Sequence, residues 1–300
     1  MASILILGGA GFIGRHTAAA LVAAGHEVAA TCRARSAMPV GGVRWIVCDL
    51  TDPQASATWP RRCDAVVFLA QAANWRAFPD TAADIFAVNV RALAAAAEYA
   101  RRAGARQFVY ASSGSVYSAT DAPAVESDPI DLAAPRGYYV ASKLVGELLL
   151  GPYEHLFSVA CLRLFMPYGL GQHADMLLPT IVRNVREGKP VLLHEPDGLV
   201  CRPTAVCDVA ETVCRLMRQD GAGTFNVCGP ETHTLRSIAL AVGEFVGRTP
   251  CFEYQPGRAP VIAGDVGALQ RSLGWIPPTE LRLGLRDWLA SEMMARRAAG

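Results

Sequence analysis

Short apolar runs without polar alternation recur through the first half of the chain. They are Ser3-Ile4-Leu5-Ile6-Leu7, Ala65-Val66-Val67-Phe68-Leu69 and Gln107-Phe108-Val109-Tyr110. A strand covered by helices on both faces has this pattern, because neither face meets water. The first run ends in Gly8-Gly9-Ala10-Gly11-Phe12-Ile13-Gly14. Phe12, Ile13, Thr17, Leu21 and Val22 then fall near one side of a predicted helix that Gly25 ends. His26-Glu27-Val28-Ala29-Ala30-Thr31 predicts a second strand, Val47-Cys48-Asp49-Leu50 ends a third, and an alanine-rich helix is expected from about Ala82 to Ala103. Strands alternating with helices predict an α/β fold with a doubly wound parallel sheet. Beyond residue 163 the alternation loosens around Gly169-Leu170-Gly171-Gln172 and Glu195-Pro196-Asp197-Gly198, which read as loops.

The glycine segment gains meaning from its place between a strand and a helix. Gly8 permits a tight turn, Gly11 lets the backbone approach a pyrophosphate, and Gly14 lets the helix pack closely on the strand. The N-terminus of that helix, at Phe12 and Ile13, offers free N–H groups and a positive dipole end to phosphates. In a dinucleotide fold an acid at the end of the second strand binds the adenosine ribose 2′-hydroxyl, and an arginine suits a 2′-phosphate. Here Cys32 is followed by Arg33 and Arg35, with no acid in reach. NADP(H) is therefore favoured over NAD(H), unless these arginines are only solvated surface charges. Asp49 is expected near the adenine.

A second chemical signal lies in Tyr139-Val140-Ala141-Ser142-Lys143, where Lys143 is one of two lysines. On a helix, an i to i+4 spacing puts the phenol and the ammonium on one face. A nearby ammonium is expected to lower the tyrosine's pKa and make it a general acid/base near neutral pH. The alternative is a surface lysine beside a core tyrosine. Net charge is +1, which gives no electrostatic case for nucleic acid or an anionic membrane. No segment is long and apolar enough to span a bilayer, and Met1 to Leu7 lacks a basic region typical of a signal peptide. The 9 cysteines contain no CxxC pair, so free thiols in a reducing cytoplasm are expected, and histidine spacing gives no metal site.

These pieces together resemble the extended short-chain dehydrogenase/reductase family, in its NAD-dependent epimerase/dehydratase group. The resemblance runs through Gly8 to Gly14, Asp49-Leu50, Phe68-Leu69-Ala70-Gln71-Ala72 and Asn89-Val90. It continues through Tyr110-Ala111-Ser112-Ser113-Gly114-Ser115-Val116-Tyr117, Tyr139-xxx-Lys143-xxx-Glu147 and Arg163-Leu164-Phe165-Met166-Pro167-Tyr168-Gly169. It closes with Val206-Cys207-Asp208-Val209-Ala210 and Leu273-Gly274-Trp275. The resemblance implies a Rossmann-type dinucleotide-binding domain over residues 1–165 and a smaller C-terminal α/β substrate-binding region over residues 166–300, interleaved in places. It implies that Ser113 hydrogen-bonds the reacting oxygen, with Ser112 as a fallback. Tyr139 would donate or accept the proton, and Lys143 would bind the nicotinamide ribose. Leu50, Leu69 and Ala70 join the cofactor set. Ser115, Met166, Arg202 and Arg258 join the substrate set, the two arginines as a grip on a diphosphate. A nucleotide sugar is the implied substrate. A homodimer through the helix around Ala92 to Ala100 and the Tyr139 helix is the implied assembly, with Ala94, Ala95 and Ala96 allowing close approach.

Four departures from the family pattern narrow the expectation. Met166 stands where many relatives carry an asparagine, and Pro203-Thr204 where they carry Asp-Phe. Gly114 and Ser115 follow Ser113 in place of the acids of a 4,6-dehydratase, and Cys32-Arg33 replace the ribose-binding acid. The leading expectation is an NADPH-dependent ketoreductase acting on a nucleotide-linked keto-sugar or similar small carbonyl compound. The alternatives are a nucleotide-sugar 4-epimerase that retains its cofactor, and a non-catalytic NADP(H)-binding protein.

Overall fold

The computed structural model describes residues 1–34, 40–117, 122–133, 137–257 and 259–299, with side chains as far as 294. Arg35 and Arg258 lie outside the described residues. From the N-terminus the chain forms β1 (Ser3–Leu7), α1 (Phe12–Ala23), β2 (Glu27–Cys32), β3 (Val43–Val47) and β4 (Ala65–Phe68). It continues with α2 (Ala82–Phe86), α3 (Ala92–Ala103), β5 (Gln107–Ser113), α4 (Tyr138–Leu150) and β6 (Ser158–Leu164). Next come β7 (Pro167–Tyr168), α5 (Leu177–Glu187), β8 (Val191–His194), β9 (Val200–Cys201), β10 (Thr204–Ala205) and α6 (Val206–Gln219). The remainder is β11 (Gly223–Val227), β12 (His233–Thr234), α7 (Leu235–Val246), β13 (Phe252–Gln255), β14 (Val261–Ile262), α8 (Gly267–Leu273) and α9 (Leu281–Ala299).

The principal sheet has seven strands in the order β3-β2-β1-β4-β5-β6-β11. Every pairing in it is parallel. Side-chain alternation sends Leu5 and Leu7 to one face, with Phe108, Tyr110 and the α3 alanines. Ile4 and Ile6 go to the other, with Leu21, Val109, Val209 and Leu269. Both faces are therefore dry, which accounts for the unbroken apolar runs. The strand order reverses between β1 and β4, and a crevice at such a switch point is where open α/β sheets bind ligands.

The lobe after β6 has its own core of Leu178, Ile181, Leu193, Ile238, Val242, Leu285 and Trp288. It is not sequential, because β11 returns to the principal sheet and α6 packs against α1. No helix among the described residues is long and apolar enough to cross a membrane.

Two element boundaries differ from expectation. The third strand stops at Val47, two residues before Asp49, whose carboxylate closes a turn by accepting from Thr51 N and Oγ1 at 2.8 Å each. The expected helix from Ala82 to Ala103 is interrupted by a π-helical turn at Ala87–Arg91. That wider turn carries buried Asn89, whose side chain bonds outside its own helix. In α3, Ala96 packs into the core while Ala94 and Ala95 are exposed.

Candidate active site

The turn after β1 is built as its glycines require. Gly8 has φ +89°, and a Cβ there would stand 2.7 Å from the Ala70 backbone beyond β4. A Cβ on Gly14 would stand 2.2 Å from the Gly8 carbonyl, so only glycine lets α1 approach the turn this closely. A Cβ on Gly11 would meet only the Gly8 oxygen, at 3.2 Å, and that position faces solvent. Thr31 of β2 props the turn, its Oγ1 accepting from Gly8 N at 2.9 Å. No side chain caps α1, and the first bonded amide within it belongs to Arg15. The N–H groups around Phe12 and Ile13 are thus free for an anion, and the cradle fits a dinucleotide pyrophosphate. Leu69 follows β4 and continues its ladder through N–H donation to Leu7 O, while Leu50 packs against the core beside Asp49. Thr51 donation, the largest influence, and Arg33 both hold the Asp49 carboxyl below its ordinary pKa. Arg33 is exposed just beyond β2.

The three chemistry-bearing side chains meet at the C-terminal end of β5. Ser113 ends the strand; its hydroxyl accepts from Ser115 N at 3.2 Å and lies close enough to the Tyr139 phenol to favour the phenolate. Ser115 itself is exposed. Ser112 points the other way, donating a short hydrogen bond to Glu147 of α4, so it does not serve as a substitute for Ser113. Lys143 lies 4% exposed, with Nζ donating to Ala111 O at 2.9 Å and standing 5.8 Å from the Tyr139 ring centroid. Helix α4 comes this close to β5 because Gly146 meets Tyr110, where a Cβ would stand 2.3 Å from its hydroxyl.

The electrostatics differ from the expectation drawn from spacing. Burial, the dominant influence, pushes the Tyr139 phenol above the ordinary tyrosine pKa, against the Ser113 hydrogen bond and the charge of Arg76. Burial also pushes Lys143 down to about 7. A lysine desolvated to that degree is half-neutral at neutral pH and does not acidify its neighbour as a full ammonium would. Its linkage to stability has a definite sign. The unfolded chain binds the Lys143 proton up to about 10.5 and the folded chain only to about 7, so stability rises with pH across that window. A Lys143→Met protein is expected to be more stable than the parent by about 1–3 kcal/mol at pH 7, though inactive. The gain should shrink as pH rises towards 10.5. Urea unfolding at several pH values checks it, and a pH-independent difference would contradict it.

Positioning residues to which the sequence reading gave no role surround this centre. Asn89 accepts from Ala72 N at 3.1 Å and donates to Ser142 Oγ at 2.8 Å, joining the loop after β4 to the second turn of α4. Glu147 takes Arg163 in a two-pronged ion pair, at 3.1 Å from Nε and 2.7 Å from Nη2. Arg163 also donates to the Tyr117 hydroxyl, which donates to Asn226 of β11. Trp75 lies on Tyr139, with ring centroids 4.4 Å apart.

The expected substrate residues divide. Arg202 donates from Nη1 to Gly264 O at 2.8 Å and from Nη2 to Pro230 O at 2.9 Å. Both terminal nitrogens are therefore committed to bracing the backbone, and Nε is buried without a partner. Met166 has φ +44°, in the left-handed region that asparagine tolerates far better than methionine. Its side chain packs on the C-terminal core.

Comparison with known proteins agrees with this geometry. The model of the NAD dependent epimerase/dehydratase family matches residues 4–228. The UDP-glucose 4-epimerase of Mycolicibacterium smegmatis is 31% identical, over 94% of this chain and 95% of its own. UDP-glucuronate 4-epimerase 1 of Arabidopsis thaliana is 30% identical, over 96% of this chain and 76% of its own. The solved structure of MoeE5 with UDP-glucuronic acid and NAD superposes with a TM-score of 0.82 at 28% identity, covering 97% of this chain and 99% of that one. With its parallel sheet, glycine cradle and Ser-Tyr-Lys cluster, the chain belongs to the NAD-dependent epimerase/dehydratase family of extended short-chain dehydrogenase/reductase enzymes.

Proposed function

We propose that this enzyme is a nucleotide-sugar 4-epimerase that works on a UDP-hexose or UDP-hexuronic acid with NAD(H). The observation that carries the reading is the clustering of Ser113, Tyr139 and Lys143 beside the glycine cradle, in a chain alike along nearly its whole length to named 4-epimerases. A dinucleotide seated on Gly8, Gly11 and Gly14 supplies the hydride acceptor and donor. Ser113 Oγ holds the sugar's 4-oxygen, and Tyr139 Oη takes its proton as the carbon becomes a ketone. After the keto sugar has turned its opposite face to the bound dinucleotide, from which hydride would return to C4, Tyr139 gives the proton back to the 4-oxygen. Lys143 Nζ would hold the nicotinamide ribose when the dinucleotide is bound, and its protonated fraction favours the phenolate. Holding the oxygen between two prepared groups in a dry site contributes most of the rate. A dehydratase reading lacks its acids, because Gly114 is pressed against Phe165 with no room for a side chain, and Ser115 is neutral.

One observation favours a second reading. Exposed Arg33, with no acid at the end of β2, suits NADP(H), and with it a ketoreductase that exchanges its cofactor each turnover. Denaturing the purified protein and identifying the released nucleotide separates the two. The epimerase reading expects tightly held NAD(H), and conversion of UDP-glucose or UDP-glucuronate to the 4-epimer without added reductant. Empty protein that oxidises NADPH with a 4-keto sugar nucleotide would replace it with the reductase.

A further inference from the structure

The loop between β4 and α2 brings Trp75 and Arg76 over the catalytic phenol. The indole lies on the Tyr139 ring at 4.4 Å and 33°, and the Arg76 guanidinium carbon stands 4.2 Å above the indole. A guanidinium held over an indole can still hydrogen-bond through its in-plane N–H groups. One nitrogen donates to Met176 Sδ at 3.1 Å, a weak acceptor. No carboxylate among the described residues pairs with Arg76, and its side chain is exposed. Neighbouring guanidiniums are already engaged: Arg163 by Glu147, Arg202 by two backbone carbonyls.

We propose that Trp75 and Arg76 form the specificity-determining lip of the sugar site, with Arg76 receiving a carboxylate carried by the sugar next to its reacting carbon. This rests on the 4-epimerase reading, which puts the sugar's C4 oxygen at Tyr139. In a hexopyranose the exocyclic C6 group is attached to the ring carbon adjacent to C4, whereas the diphosphate leaves from C1 across the ring. A cation held two stacked layers from the phenol suits the former. A guanidinium fork matches a carboxylate with two parallel hydrogen bonds, which a neutral hydroxymethyl group does not accept. The Arg76 charge also acts through space on the Tyr139 phenol, as a smaller influence than burial or Ser113.

The test compares kcat/KM for UDP-glucuronate and UDP-glucose in the parent, Arg76→Gln and Arg76→Lys proteins. The uronate-to-hexose ratio is expected to fall about tenfold or more in Arg76→Gln and to recover in part in Arg76→Lys. An unchanged ratio overturns the proposal, including an equal fall for both substrates, which would mark a diphosphate contact or a loop-shaping role. If the parent epimerises neither sugar, the functional reading fails by itself. Calorimetric titration of the same three proteins with each sugar nucleotide then reads the site without turnover. A preference for UDP-glucuronate that Arg76→Gln abolishes sustains the carboxylate site, and equal affinities in the parent refute it.

Discussion

Replacing Tyr139 by phenylalanine lowers kcat about a thousandfold, while the protein still folds and still binds its dinucleotide. The substitution removes one oxygen and leaves the ring that stacks on Trp75, so the loop over the site keeps its support. What is lost is the proton carrier opposite Ser113, and Ser113 cannot stand in because a hydroxyl without a partner base is a poor acceptor. Single-turnover epimerisation with calorimetry of dinucleotide binding checks both halves. Activity within a few-fold of the parent would remove Tyr139 from the chemistry, and lost dinucleotide binding would make its role structural.

Replacing Arg163 by alanine destabilises the fold by about 3–5 kcal/mol, because it strands a buried carboxylate. The Arg163 and Glu147 side chains are only 7% and 12% exposed, and the pair joins β6 to the helix that carries Tyr139 and Lys143. Loss of the guanidinium also removes the donor to Tyr117 and the cation on its ring, 4.7 Å from the centroid. The double change Arg163→Met with Glu147→Leu is expected to regain most of the loss, since two apolar groups leave no charge unmatched. Urea unfolding of both single variants and the double variant completes the cycle. Additive losses would show that the ion pair does not couple the two elements.

Local signals made half of the site legible in the sequence. The strand-glycine-helix order of Ser3 to Ala23 carries its own steric logic, since a Cβ at Gly8 or Gly14 would collide with backbone. The four-residue spacing of Tyr139 and Lys143 correctly put both on α4. Long-range contacts were silent. Arg163 lies 16 residues from Glu147, and no pattern marks them as partners. A π turn has the composition of any helix, so the break at Ala87–Arg91 left no trace in the alanine-rich run. Trp75 and Arg76 sit in a loop without periodicity, and only the folding of β4 against β5 brings them to the phenol. Spacing conveyed proximity but not desolvation, which is why burial, and not the Lys143 charge, sets the direction of the Tyr139 shift. Ser112 and Ser113 were equivalent as letters, and strand alternation separated them.

The return of β11 to the edge beyond β6, with α6 laid on α1, has a practical consequence for anyone wishing to borrow the nucleotide cradle as a module. A gene cut after residue 165 would leave β6 as a bare, sticky border and strip the outer cover from the helix that faces the phosphates. Grafting this unit onto another protein therefore means carrying the stretch through Val227 along with it.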